Sequence, residues 1–293
     1  MNLFSINAGY FKLDGGAMFG VVPKTMWNKL NAADENNMCS WALRCLLIEE
    51  ADKLILIDNG MGDKQDARFF GHYYLHGDDT LDKSLAQHGF SRDDITDVVL
   101  THLHFDHCGG SIHRVGDNLM PAFKYATYWS NERHWQWATH PNDREKASFL
   151  KENILPIKES GQLKMVDEPT LANAGDAATV ITQPSAIIPG LSFIFVDGHT
   201  GAMMLPVIQF KEKTIVYVAD LLPSLAHLPL PYVMAYDMFP LTTLTEKKIF
   251  LSWAVENNCI LFFEHDPVNE CCTLQSTEKG IRAKEIFTIS ELL

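Results

Sequence analysis

The chain has 293 residues, 46% hydrophobic and 21% charged, enough for one large single-core domain. Its formal charge of −13 argues against nucleic acid as substrate or partner, because a polyanion would be repelled. No apolar run reaches membrane-spanning length, and the N-terminus lacks a basic start followed by an apolar stretch, so neither a membrane partner nor a signal peptide is expected. In chain order, Asp14 to Pro23 is a glycine-containing loop. Trp41–Glu49 and Lys53–Asp58 then read as strands of a hairpin around Glu50-Ala51-Asp52. Thr80–His88 reads as a helix, with Leu81 and Leu85 four apart and Gly89 as its stop. Ile95–His102 is an apolar strand. Residues 129–156 are polar and aromatic without a strand period, and read as an insertion over the mouth of a site. Leu191–His199, Thr214–Asp220 and Cys259–His265 are three further strand-like runs. Residues 245–258 read as a helix capped by Thr245. This order is mixed α/β, and no repeat or linker divides the single domain expected over 1–293.

The segment Thr-His-Leu-His-Phe-Asp-His-Cys-Gly-Gly at 101–110 puts three histidines and an aspartate into six positions. Side chains two apart in an extended segment point the same way, so His102 and His104 can grip one ion. Asp106 and His107 lie on the following turn, where Gly109 and Gly110 let backbone pass close by, and can reach a second ion. Imidazole and carboxylate are the ligand set of zinc and similar borderline ions. Three later strands end in His199, Asp220 and His265, where an α/β sheet collects functional groups. Seven ligands are too many for one ion and suit two divalent ions sharing a carboxylate, with zinc expected. Two close cations make hydroxide available near neutrality, so a metal-bridging hydroxide could attack a carbonyl or phosphoryl centre, with Asp106 and Asp220 orienting the water. No Gly-x-Ser-x-Gly elbow offers a serine nucleophile instead.

With these ligands the chain resembles the metallo-β-lactamase-fold hydrolases, over nearly its whole length. Their signature is His-x-His-x-Asp-His followed by a His, an Asp and a His at later strand ends. The resemblance implies an αββα sandwich with mixed sheets and the metals at one edge between the sheets. It implies that His102, His104 and His199 hold one ion, that Asp106, His107 and His265 hold the other, and that Asp220 bridges them. It also matches Asp58, in Asp58-Asn59-Gly60, to an aspartate that orients a ligand without touching the metal. The Asp14–Pro23 loop, the tryptophan-rich insertion and the 101–107 motif are similar to the N-acyl-homoserine lactonase and methyl parathion hydrolase group. One major class of true β-lactamases has Arg at the His107 position, another lacks the bridging aspartate, and flavodiiron proteins have Glu at the His104 position. Glyoxalase II adds a helical domain after its last histidine, for which the tail after His265 is too short. One departure is Pro223, where many of these lactonases carry a tyrosine three residues after the bridging aspartate.

The expected activity is therefore cleavage of a lactone or other neutral ester. The alternatives are a phosphotriester hydrolase, a glyoxalase II-like thioesterase, and a non-catalytic metal-binding protein of the same fold. Met18, Phe19, Trp27, Phe105 and Trp129 are candidates for an apolar substrate wall. Lys24 and Arg44 are the only cations near the N-terminal loop that could clamp an anionic substrate, and both read as solvated charges. Cys108 reads as a packing residue. Ser224, Tyr232 and Tyr236 read as structural, and His72, His76, His88, His113, His134, His140 and His227 as surface or capping residues. Cysteines at 39, 45, 108, 259, 271 and 272 form no disulfide framework, so a reducing cytoplasm is the expected compartment. The expected partner is a small-molecule substrate, and any self-association is expected as a homodimer.

Overall fold

The computed structural model describes residues 1–168 and 180–292. Its strands are β1 (Asn2–Asp14), β2 (Met38–Glu50), β3 (Lys53–Ile57), β4 (Asp97–Val99), β5 (Ile112–Val115), β6 (Asn118–Pro121), β7 (Thr127–Asn131) and β8 (Leu163–Val166). They continue as β9 (Gln183–Pro184), β10 (Leu191–Val196), β11 (Met203–Phe210), β12 (Lys213–Tyr217), β13 (Ile260–Phe262), β14 (Cys271–Thr277) and β15 (Gly280–Phe287). The helices are α1 (Gly15–Phe19), α2 (Lys24–Trp27), α3 (Ala67–Phe70), α4 (Leu81–Gln87), α5 (Phe105–Cys108), α6 (Glu132–Thr139), α7 (Lys151–Glu159) and α8 (Pro240–Glu256). One sheet has the order β1-β2-β3-β4-β7-β8 and a second the order β15-β14-β13-β12-β11-β10-β9, with β5 and β6 as a separate hairpin. Both sheets are mixed, as the sequence led us to expect. By contact density the chain forms two compact units, residues 1–11 with 42–166 and residues 12–41 with 167–292.

In the first unit, β3, β4, β7 and β8 run parallel. Parallel strands are covered on both faces, which explains why Leu54–Ile57 and Val98–Leu100 are buried almost without alternation. Helix α4 packs Leu81 and Leu85 into this core and is capped by the Thr80 hydroxyl, which accepts from Lys83 N at 3.2 Å. The 129–156 segment holds the end of β7, all of α6 and the first turns of α7. Trp135 and Ala138 from α6, Phe149, and Ile154 and Ile157 from α7 join the same core. In the second unit, β12 and β13 are a parallel pair inside an otherwise antiparallel sheet.

Five boundaries differ from expectation. Helix α8 starts at Pro240, well before Thr245, because proline suits a first helical turn whose N–H groups need no partner. Thr245 lies inside the helix, where its hydroxyl donates back to Leu241 O at 3.0 Å. The four ligand-bearing strands are also shorter than their apolar runs. They end at Val99, Val196, Tyr217 and Phe262, so His102, His199, Asp220 and His265 are each the third residue past a strand end.

Candidate metal-binding site

The first unit carries four of the expected ligands. His104 is the N-cap of α5, which holds Asp106 and His107 on its single turn. His102 Nε2 and His104 Nδ1 face each other at 3.0 Å. Two nitrogens bound to one tetrahedral zinc lie about 3.3 Å apart, so this spacing fits a shared ion. His107 Nε2 faces Asp106 Oδ1 at 3.9 Å. The far nitrogens are engaged from behind: His102 Nδ1 lies 3.1 Å from the Thr101 hydroxyl, and His104 Nε2–H donates to Glu145 Oε1 at 3.0 Å. His107 Nδ1–H donates to Asp58 Oδ2 at 3.1 Å. Asp58, immediately after β3, also accepts from Thr101 N at 2.8 Å and the Thr101 hydroxyl at 2.6 Å. Its φ of +54° is a conformation that aspartate tolerates better than most residues. The turn after α5 needs its two glycines. A Cβ on Gly109 would lie 2.1 Å from Met61 O, and one on Gly110 2.2 Å from Asn59 O.

The second unit carries the other three. The parallel register sets Tyr217 opposite Phe262, so the third residues beyond each, Asp220 and His265, fall side by side. Strand β10 lies two places from β12 and, through two antiparallel pairings, points the same way, so His199 emerges at the same sheet end. Asp220 Oδ1 lies 3.2 Å from His265 Nε2, and Asp220 Oδ2 lies 3.1 Å from His199 Nε2. One carboxylate thus presents a different oxygen to each of two histidines, the geometry a bridging ligand requires. His199 Nδ1–H donates to Asp237 Oδ1 at 2.9 Å. Burial works against a charge on this ring, but Asp220 and Asp237 outweigh it and lift His199 to about 10. The surroundings thus call for a positive charge at this point, which a metal cation would supply.

Several site residues had no local signal in the sequence. Glu145 and Asp237 hold His104 and His199 from 41 and 38 residues away, and nothing beside them in sequence marks them. His134 was expected as a surface or capping residue. It is instead fully buried, and its Nε2 accepts from Leu103 N at 2.8 Å, between the two ligands of the His-x-His pair. The 129–156 segment therefore braces His104 through Glu145 and the Leu103 backbone through His134. His227 is likewise buried, not superficial. It donates from Nε2 to Met18 O at 2.9 Å, its Nδ1 lies 2.8 Å from the Ser224 hydroxyl, and burial drives it down to about 3, so it stays neutral. His134 follows Glu132 and Arg133 and His227 sits between Ala226 and Leu228, and neither run carries a pattern that marks a buried histidine. Cys108 is a packing thiol: Sγ donates to Leu103 O at 3.3 Å, and burial pushes it up to about 12.

The candidate substrate wall divides. Phe19 is sandwiched between Trp27 at 5.2 Å and His227 at 4.7 Å, all three closed in the second unit's interior with Met18. These three side chains are core, because α1 and α2 stack their rings on each other instead of opening a groove. Trp129 reaches back along the sheet, donating from Nε1 to Asp97 at the start of β4, away from the ligand-bearing strand end. Phe105 differs. It packs on Phe69 at 5.3 Å and Tyr73 at 4.7 Å, and the charge of Asp106 adds to burial in raising Tyr73 to about 12. An aromatic patch therefore adjoins Asp106. Arg44 is buried at the middle of β2 and not a solvated charge, since its strand neighbours Leu43 and Cys45 are core. Lys24 is exposed above Trp27.

The family model described as the metallo-beta-lactamase superfamily matches residues 44–252. The chain belongs to that superfamily. Among solved structures it is similar to a probable metal-dependent hydrolase from Staphylococcus aureus, at 25% identity over 98% of both chains, with a TM-score of 0.83. It is also similar to AidC, a dizinc quorum-quenching lactonase solved with a product (22% identity, 98% and 95% coverage, TM-score 0.77). The hydrolase AbOPH of the beta-lactamase superfamily shares 19% identity over 97% and 94% of the two chains, with a TM-score of 0.74. No curated protein matches the sequence. Family and ligand chemistry together make this chain a metal-dependent hydrolase. Among the described residues no helix is long and apolar enough to cross a membrane, and all six cysteines are free thiols.

Proposed function

We propose that the two ligand sets serve one pair of divalent ions, zinc being the expected metal, and that the enzyme hydrolyses a lactone or other neutral ester. The observation that carries this reading is the splayed carboxylate of Asp220, with one oxygen on His199 and the other on His265. His102, His104 and His199 would hold one ion and Asp106, His107 and His265 the other, with Asp220 shared. Such a pair supplies Lewis acidity and an activated water near neutral pH. The residues of the chain do the rest. Glu145, Asp58 and Asp237 fix the tautomer and ring plane of three histidines, and the two aspartate ligands offset the charge of the cations. Elemental analysis of protein purified without chelator should approach two equivalents of metal per chain. A fully active protein that holds one ion would sink the assignment.

The substrate class rests on the wall and on the cations. The patch of Phe105, Phe69 and Tyr73 beside Asp106 suits an acyl chain or aryl group. Burial of Arg44 removes one of the two cations that could have clamped a carboxylate. Similarity to a lactonase favours a lactone, while Pro223 in place of a tyrosine points to a modest one. Assayed side by side, an acyl lactone or aryl ester should exceed any β-lactam or S-lactoylglutathione in kcat/KM by at least about tenfold, or roughly 1.4 kcal/mol. A phosphotriester outranking the lactone would select the organophosphatase alternative. Preference for a β-lactam or S-lactoylglutathione would refute the neutral-substrate reading. We further propose a reducing compartment, in keeping with the free thiols.

A further inference from the structure

Helix α8 carries two consecutive charged residues that turn inward, Glu246 and the fully buried Lys247. Each grips backbone, and neither touches a metal ligand's side chain. Glu246 accepts from Asp197 N at 2.7 Å through one oxygen and from Gly198 N at 2.9 Å through the other. Lys247 donates to Pro229 O at 2.8 Å and Tyr232 O at 2.9 Å. The first pair of contacts sets the turn that leads into His199. The second anchors the start of the segment that ends in Asp237, the partner of His199 Nδ1. Between them the helix presses on the turn directly, since a Cβ on Gly198 would lie 2.3 Å from Thr243 N. Phe239 N and Met238 N close the arrangement by donating to Gly198 O at 2.8 Å and His199 O at 3.1 Å.

We propose that Glu246 is a positioning residue for His199, its two-oxygen clasp on Asp197 and Gly198 holding the ring where Asp237 and the metal can share it. The inference rests on the metal reading above and extends it to a residue that no ligand motif contains. A part-buried pair of adjacent N–H donors is met by two acceptor oxygens on one side chain, which glutamate supplies. Glutamine supplies one oxygen and turns an NH2 group toward the other donor. The turn would then shift while α8 and its packing remain.

The test uses full-length zinc-loaded protein challenged with EDTA, with release followed by a colorimetric zinc indicator. His199→Ala and His107→Ala first identify which release phase belongs to which ion. Glu246→Gln should then speed the phase that depends on His199 by about tenfold, the low end of what loss of a ligand's supporting partner costs. The phase that depends on His107 should stay within about twofold of wild type. Gly198→Ala, which drives the turn off Thr243, should show the same selectivity. A general loss of packing would move both phases together, so that result, or failure of Glu246→Gln to fold, would place Glu246 in the core and overturn the proposal. Equal release from Glu246→Gln and wild type would overturn it as well, while leaving the metal reading intact. If His199→Ala alters neither phase, the metal assignment itself fails, and the proposal with it.

Discussion

Asp220→Asn is expected to lower kcat/KM by at least about 100-fold, or roughly 2.7 kcal/mol, and to weaken metal retention in the same protein. The substitution keeps the shape of a side chain whose two oxygens lie 3.1 and 3.2 Å from His199 and His265. It removes the negative charge and puts an NH2 group where one of those oxygens stood. A donor aimed at a cation repels it, so the asparagine can serve one partner at most. Misplacing the reacting water by even about an ångström is a loss of this size in its own right. Steady-state kinetics with metal analysis of the same sample would check both effects. Cys108→Ser is the matched control, being next to the ligands in sequence yet engaged with Leu103 O. Serine keeps that donor, and the effect should be nearly silent. If Cys108→Ser empties the protein of metal while Asp220→Asn is tolerated, the ligand assignment is wrong.

Asp58→Ala should cost stability as well as metal. Its carboxylate satisfies three buried donors, at 2.6, 2.8 and 3.1 Å, on Thr101 and His107. Stranding a buried polar group costs about 1–3 kcal/mol, so a loss of at least roughly 3 kcal/mol over the three donors is expected in urea denaturation. Alanine would also have to adopt the φ of +54° without a polar side chain to favour it. Asp58→Asn separates the two losses. Its oxygen can still accept from Thr101 N, so stability should fall less than in the alanine variant. Its NH2 group would face His107 Nδ1, forcing the proton onto Nε2, the nitrogen that faces Asp106. Metal affinity should fall about 10–100-fold through the wrong tautomer. Equal metal affinity in Asp58→Asn and wild type would show that Asp58 does not set that ring.

Asp58 also marks how far the sequence alone could be read. The mixed α/β order and the seven candidate ligands were legible because each rests on short-range pattern. Histidines and aspartates crowd into 101–107 or close apolar runs, and local spacing suffices to see them. Helix α4 and the β2–β3 hairpin were legible for the same reason. What the sequence could not supply was every partner whose meaning depends on distant chain. Glu145, Asp237, His134, Glu246 and Lys247 are ordinary polar residues until folding brings them to His104, His199, Leu103 or a loop. The same holds for the substrate wall. Aromatic composition put Phe19 and Trp27 on an equal footing with Phe105, and only packing decided between them, by stacking Phe19 on Trp27 and His227 and leaving Phe105 beside Phe69 and Tyr73. Ligand identity is local chemistry and survives translation into one dimension. Ligand orientation is set by hydrogen bonds tens of residues long in sequence and about three ångströms long in space, and those exist only once the chain has folded.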